Sequence, residues 1–253
     1  MMKSLKKDLL GIKIFKTREE MGEAAASDAE IYINGVLSQK NEMNIVFAAA
    51  PSQNDVLASL SKKNIPWRKI NAYHMDEYVG LSRTDPPSFG HYLYEHIFSL
   101  VPFKSVHYIA QNGKASEEAC QDYCSLLEQI HIDIVFMGVG ENGHIAFNDP
   151  QFAFFDDPEI AKIVELDDVC RMQQVHDGCF PSIDDVPKKA VTLTIPTLMS
   201  ADKLFNVVPT AFKAEAVKDI VTGDITEECP ASICRRHAGA TLYLDGESSS
   251  YII

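Results

Sequence analysis

The stretch FMGVGENGHIAFNDP, residues 136–150, follows directly on the apolar run IDIVFM and gathers Asn142, His144 and Asp149 within a few positions. Its glycines at 138, 140 and 143 also spell G-x-G-x-x-G. Three readings compete: a dinucleotide cradle, a catalytic loop, and an ordinary turn that contains a histidine. A dinucleotide cradle needs a strand, the glycines, a full helix and then a second strand bearing an acid about 20 residues on. The strand is present, and KIVELD (162–167) supplies an acid. The helix is not: Asn148-Asp149-Pro150 breaks the chain at once, and FAFFDDPEI has the wrong residues for a crossover helix. The cradle also belongs in the first βα unit, whereas this stretch lies past the middle of the chain. A nicotinamide cofactor is therefore disfavoured. As a catalytic loop the stretch makes better sense, because glycines let the backbone turn sharply above a sheet. A histidine with a carboxylate partner moves protons at neutral pH.

Working outward, several short apolar runs rich in β-branched residues stand on either side: NIVFAAA (44–50), KINAYHM (69–75), DIVFMGV (133–139), AVTLTI (190–195), KLFNVV (203–208) and ATLYL (240–244). Apolar on both faces, they suit strands buried in a parallel sheet. Helical spacing lies between them, over 21–37, over 116–130 behind Ser116 and its two following acids, and over 210–223 ending on Gly223. Strand and helix alternate, which predicts an α/β fold of three layers, Rossmann-like, with a mostly parallel central sheet. No Pro/Gly/Ser-rich linker divides the chain, so residues 1–253 read as a single domain. Segment 149–189, rich in Asp, Pro and Phe and poor in periodicity, reads as a lid or active-site wall. Ligands in such sheets sit beyond the carboxyl ends of the strands, and the polar clusters of this chain fall there.

AAAPSQND (48–55) precedes a helix beginning near Asp55. Ser52, Gln53 and Asn54 read either as an N-cap turn or as an anion site at a helix N-terminus. AYHMDEYVGL (72–81) sets Asp76 and Glu77 at a strand end among apolar neighbours. The pair reads as a solvated turn or as a carboxylate base whose partial burial lifts its pKa. In PTAFKAEAV (209–217), Lys213 lies in the first turn of a helix, where a cation is disfavoured unless an anion binds there. It reads as a phosphate ligand or as a solvent-facing lysine.

Bulk properties narrow the classes. With 253 residues, 46% hydrophobic and 23% charged, the chain is an ordinary globular composition. A net charge of −13 disfavours nucleic acid and anionic membrane surfaces as partners. It also means that cations for an anionic small substrate must be gathered locally. Asp8, Gly11 and Lys13 interrupt any signal-peptide core, and no apolar run approaches the roughly 20 residues that span a bilayer. The six cysteines form no C-x-x-C pair, which suits reduced thiols of a cytoplasmic protein and disfavours a zinc site.

Taken together, MDEYVGL (75–81) and GVGENGHIAFNDP (138–150) resemble the glucosamine/galactosamine-6-phosphate deaminase (isomerase) family, which is related to the 6-phosphogluconolactonases. VPKKAVTLTIPTLMSAD (186–202) and Lys213 add weaker support, and the likeness covers most of the chain. The resemblance implies an aldose–ketose isomerisation coupled to loss of ammonia, without metal or organic cofactor. Asp76 matches the base that moves a proton between C2 and C1 of the open-chain sugar. His144 matches the residue that opens the ring, assisted by Asp149 and Asn142. Glu77 is a supporting neighbour, and Ser52, Gln53, Asn54, Gly140, Gly143, Arg171, His176 and Lys213 fall on the substrate side. The family often forms homo-oligomers.

This chain departs from the family's pattern in three places. Position 142 is Asn where many members have Asp, and position 149 is Asp where Glu is usual. The phosphate loop, rich in Gly and Ser/Thr in the family, is AAAPSQN here, and residues around His176 replace an arginine downstream of Arg171. Two other readings share the fold: a sugar-lactone hydrolase, and a phosphosugar-binding regulator without chemistry.

Overall fold

The computed structural model describes residues 1–176 and 178–253. Its strands are β1 (Lys3–Lys7), β2 (Leu10–Ile14), β3 (Met43–Phe47), β4 (Ile70–His74), β5 (Asp76–Tyr78), β6 (Ser105–His107), β7 (Ile134–Met137), β8 (Ala161–Glu165), β9 (Lys189–Leu193), β10 (Lys203–Val208) and β11 (Ala240–Leu244). Its α-helices are α1 (Arg18–Leu37), α2 (Asn54–Leu60), α3 (Phe89–Leu93), α4 (Glu117–Leu127), α5 (Asp168–His176), α6 (Ile195–Met199) and α7 (Ala214–Thr222).

Eight strands form one sheet in the order β1-β2-β11-β10-β7-β3-β4-β6. Every neighbouring pair is parallel except β1 with β2, which closes one edge as an antiparallel hairpin. The expected mostly parallel α/β sheet is thus present. Alternate residues of its central strands feed two cores, as the period of two requires. On β7, Ile134 and Phe136 face the core built with α1, α2 and α3. Val135 and Met137 face the one built with α4, α6 and α7. On the first face, stacked rings of Phe47, Phe136, Phe205 and Tyr243 run across four strands. Among the described residues no helix is long and apolar enough to cross a membrane.

Helix starts follow the chemistry of the caps. Thr17 accepts the Glu20 N–H at 3.2 Å and begins α1. Ser116 accepts the Ala119 N–H at 3.2 Å and begins α4, with Glu117 and Glu118 stabilised in the first turn. Gly223 stops α7, though in an extended rather than left-handed conformation.

Two strand readings change. AVTLTI does not enter the parallel sheet: β9 is the centre of a separate antiparallel sheet, β5-β9-β8. It is covered on both sides, with Ala190 in one core and Val191 and Leu193 in the other, so its composition mimics a buried parallel strand. The N-terminal residues, read only for a leader, form the hairpin; LGIKI alternates, burying Leu10, Ile12 and Ile14. Segment 149–189 contains both β8 and α5.

Chain order reverses between β3 and β7. From β3 the strands proceed to β4 and β6, and from β7 to β10 and β11, on the opposite side. This is the topological switch point, where open α/β sheets place their ligands.

Candidate active site

A cleft of about 280 Å³ lies at the carboxyl ends of β3, β4, β7 and β10. That is near the lower end of the roughly 300–1,000 Å³ usual for small-molecule sites, a size suited to a sugar. Its wall takes Ala48–Ser52 from the end of β3, Asp76 from the end of β4, Gly138–Glu141 and His144 from the end of β7, and Thr210 and Lys213 from the end of β10. Helix α5 supplies Gln173, Gln174 and His176.

Asp76 is held against β9. Its predecessor Met75 accepts the Leu193 N–H at 2.8 Å, and Asp76 itself pairs with Thr192 in the small sheet. The backbone therefore passes from one sheet to the other at this residue, which fixes the carboxylate more firmly than a loop would. Asp76 is 6% exposed. Burial, with the Glu77 charge adding to it, raises its pKa well above the usual carboxylate value. Glu77 points to the other face of β5. It has no exposed surface and accepts N–H bonds from Tyr78, Phe89 and Gly90 at 2.8–3.1 Å. Burial pushes it up to about 7 against the lowering effect of those three bonds. Glu77 ties β5 to the start of α3 and does not line the cleft.

The loop after β7 is pinned to the same strand as Asp76. Phe147 N–H donates to Thr192 Oγ1 at 3.1 Å, and Asn148 Nδ2 donates to the Ile145 and Leu193 carbonyls at 2.9 and 2.8 Å. The His144 ring lies flat on residue 140: a Cβ there would sit 2.1–2.3 Å from three ring atoms, so position 140 must be glycine. Gly143 has φ +82° and lets the turn close, its N–H donating to the Gly140 carbonyl at 3.0 Å.

Behind His144 lies a short polar relay. His144 Nδ1 is 2.7 Å from Asn142 Oδ1 and 3.1 Å from Asp149 Oδ1. Asn142 Nδ2 donates to that same Asp149 oxygen at 3.0 Å. Two acceptors facing Nδ1 place the proton on it, leaving Nε2 for the cleft. Asp149 has no exposed surface. Burial alone would raise its pKa, but the His144 bond and charge, with bonds from Asn142 and the Cys170 thiol, bring it below the usual value. His144, Asp149 and Cys170 also present donor atoms within 4.8 Å of one another, a set that could hold a metal ion.

The residues read from the sequence thus divide. Asp76, His144, Gly140, Ser52, His176 and Lys213 line the cleft; Asn142 and Asp149 stand immediately behind it. Five do not reach it. Gln53 is buried and donates to the Val207 carbonyl, because a short 3₁₀ turn swings it under the loop. Asn54 starts α2 and bonds the Tyr92 hydroxyl at 2.5 Å. Gly143 packs against Cys229. Arg171 spends its guanidinium on Asp168 and on the Ile183 and Val186 carbonyls. Glu77 is the fifth. His74, at the end of β4, is a structural histidine: it has no exposed surface, accepts the Ile109 N–H, and is held near 3 by burial.

The sequence reading missed Arg18, Gln173, Gln174 and Cys170. Arg18 follows β2, so inspecting the residues after that strand would have found it had β2 been recognised. Gln173 and Gln174 lie in a segment with little periodic signal, and nothing in the sequence singled out Cys170.

Residues 16–243 match the family model described as glucosamine-6-phosphate isomerases/6-phosphogluconolactonase. The chain belongs to this family. Among its relatives is a glucosamine-6-phosphate deaminase of Bacillus cereus (strain B4264), 34% identical over 243 residues, covering 95% of this chain and 88% of that one. Another, from Exiguobacterium sibiricum, is 32% identical over 234 residues, covering 92% and 91%. A solved monomeric glucosamine-6-phosphate deaminase superposes with a TM-score of 0.84 at 29% identity, covering 94% of this chain and 98% of that one. A 6-phosphogluconolactonase from Thermotoga maritima shares the fold, with a TM-score of 0.74 at 19% identity over 92% and 98%.

Proposed function

We propose that this member of the glucosamine-6-phosphate isomerase/6-phosphogluconolactonase family is an amino-sugar-6-phosphate deaminase/isomerase. It converts glucosamine-6-phosphate or galactosamine-6-phosphate to a ketohexose-6-phosphate and ammonia. The observation that carries this reading is the pairing, in one cleft, of a buried carboxylate with a raised pKa, Asp76, and a histidine whose Nδ1 is occupied from behind, His144.

The chemistry follows from those two groups. His144 Nε2 takes the proton of the C1 hydroxyl and returns it to the ring oxygen, opening the pyranose to the aldehyde. Asn142 and Asp149 hold the ring in one tautomer and stabilise the imidazolium formed in passing. Asp76 then removes the proton from C2 while O1 is protonated, giving an enolamine, and delivers the proton to C1. The product is a C2 iminium; water adds to C2 and ammonia leaves, giving the ketose. A carboxylate whose pKa is raised toward the working pH is a stronger base than a solvated one. Lys213 and Ser52 take the phosphate side. The α5 residues of segment 149–189 form the wall over the sugar. All of these side chains come from a single chain, so the homo-oligomer suggested by the resemblance is not needed to complete the cleft.

The test is product analysis on both epimers. Equal release of ammonia and ketose phosphate from either one supports the deaminase and names the epimer. Hydrolysis of 6-phosphogluconolactone with no ammonia from either amino sugar would replace it with the lactonase reading. Phosphosugar binding without turnover would replace it with a regulator.

A further inference from the structure

On the phosphate side of the cleft, positions 51, 53 and 54 of the loop after β3 offer a ligand no backbone donor. In the loop after β3, Pro51 has no N–H. The Gln53 N–H donates to the Ala50 carbonyl and the Asn54 N–H to the Pro51 carbonyl, so both are spent within the loop. With a net charge of −13, a dianionic ligand here needs side-chain cations. Besides Lys213, the cleft wall holds Arg18.

Arg18 is the first residue of α1, capped by Thr17 and reached from the carboxyl end of β2. Strand β2 runs parallel to β11, so the β2–α1 connection emerges on the same edge of the sheet as the other cleft loops. The guanidinium is fixed at two points: Nε donates to Asp55 Oδ2 at 2.6 Å and Nη2 to the Pro51 carbonyl at 3.0 Å. Nη1 makes no hydrogen bond among the described residues. A planar guanidinium held on two of its nitrogens presents the third without further loss of side-chain freedom, which suits it to an oxyanion. The bond to the Pro51 carbonyl also couples it to the loop that carries Ser52.

We infer that Arg18 is a specificity-determining ligand for the phosphomonoester group of the substrate, acting with Ser52 and Lys213 beside a loop in which positions 51, 53 and 54 give no backbone donor. The inference rests on the function proposed above for the same cleft. A structural alternative is that Arg18 only staples α1 to α2 through Asp55.

Three variants separate the two roles. Arg18→Ala removes both staple and charge, Arg18→Lys keeps the charge without the fork, and Asp55→Asn weakens the staple while keeping the cation. Each is titrated with inorganic phosphate by calorimetry and assayed for KM and kcat on the amino-sugar phosphate. Arg18→Ala is expected to weaken phosphate binding and raise KM by at least about tenfold, the loss of a charge-assisted hydrogen bond, with kcat within about threefold. Arg18→Lys recovers part of that loss, and Asp55→Asn binds phosphate at least as tightly as the wild type. Equal losses in Arg18→Ala and Asp55→Asn, or unchanged phosphate affinity in both arginine variants, would overturn the proposal. If the wild type turns over neither epimer, the proposed function fails, and the phosphate titration still decides the role of Arg18. Should Arg18→Ala not fold, Arg18→Lys against Asp55→Asn makes the same distinction.

Discussion

Nδ1 of His144 lies 3.1 Å from Oδ1 of Asp149, a carboxylate without exposed surface. The same oxygen accepts from Asn142 Nδ2, so one buried atom fixes both the imidazole and the amide that orients it. In the proposed reaction His144 makes the ring-opening proton transfer and Asp149 acts through it. His144→Gln should therefore lower kcat by about 10²–10⁴, the usual worth of a positioned acid–base group, with KM changed only a few-fold. Asp149→Asn leaves the ring in place but removes the charge behind it, and kcat should fall less. Steady-state kinetics on both variants checks the order of the two effects.

Asp76 ties function to stability. Its folded-state pKa is raised, so protonated Asp76 favours folding. That contribution is fully present below the unfolded carboxylate value and is lost as pH rises through the folded value. Asp76→Asn removes the charged form altogether. The variant should lose at least about 10²-fold in rate yet melt higher than the wild type, with the gap in Tm small near pH 4 and wider at pH 8. Thermal melts of the two proteins across that range would refute the assignment if the gap narrowed with rising pH.

Glu77 should behave in the opposite way, although it is the adjacent carboxylate. Its oxygens accept from three backbone N–H groups. The amide of Glu77→Gln would turn a donor toward at least one of them. One buried donor left unpaired costs about 1–3 kcal/mol, and the Tm should fall by roughly 2–10 °C for a domain of this size. A melt unchanged from wild type would contradict the structural role given to Glu77.

Thr210 has φ +78° and ψ 152°, a region that side-chain-bearing residues rarely enter, and it lines the cleft just before Lys213. Such strain costs on the order of 1–3 kcal/mol. Thr210→Gly should relieve it and raise the Tm by a few degrees in a thermal melt.

Much of this site was legible before the fold was known because both decisive motifs follow buried strands. The run 133–139 and the strand ending at His74 announce themselves by composition, and the residues just after them, Asp76 and His144, reach the cleft. What was hidden depends on tertiary contacts. Asp76 and Glu77 are neighbours in sequence, but only the pairing of β5 with β9 shows that one faces the cleft and the other the backbone of α3. Arg171 resembles a substrate ligand by its position, yet the carbonyls of Ile183 and Val186 consume its guanidinium. Gln53 is turned away by a 3₁₀ turn that no periodicity predicts. Arg18 lies more than 30 residues before the loop it touches.

In the proposed reaction Asp76 carries the C2-to-C1 proton transfer of a deamination. The most direct test of that role is the release of ammonia and ketose phosphate from glucosamine-6-phosphate and galactosamine-6-phosphate, measured side by side for the wild type and Asp76→Asn. The proposed mechanism predicts equal amounts of both products from one of the sugars with the wild type, and a rate at least about 10²-fold lower in the variant. Undiminished turnover by Asp76→Asn, or no ammonia from either sugar with the wild type, would contradict it.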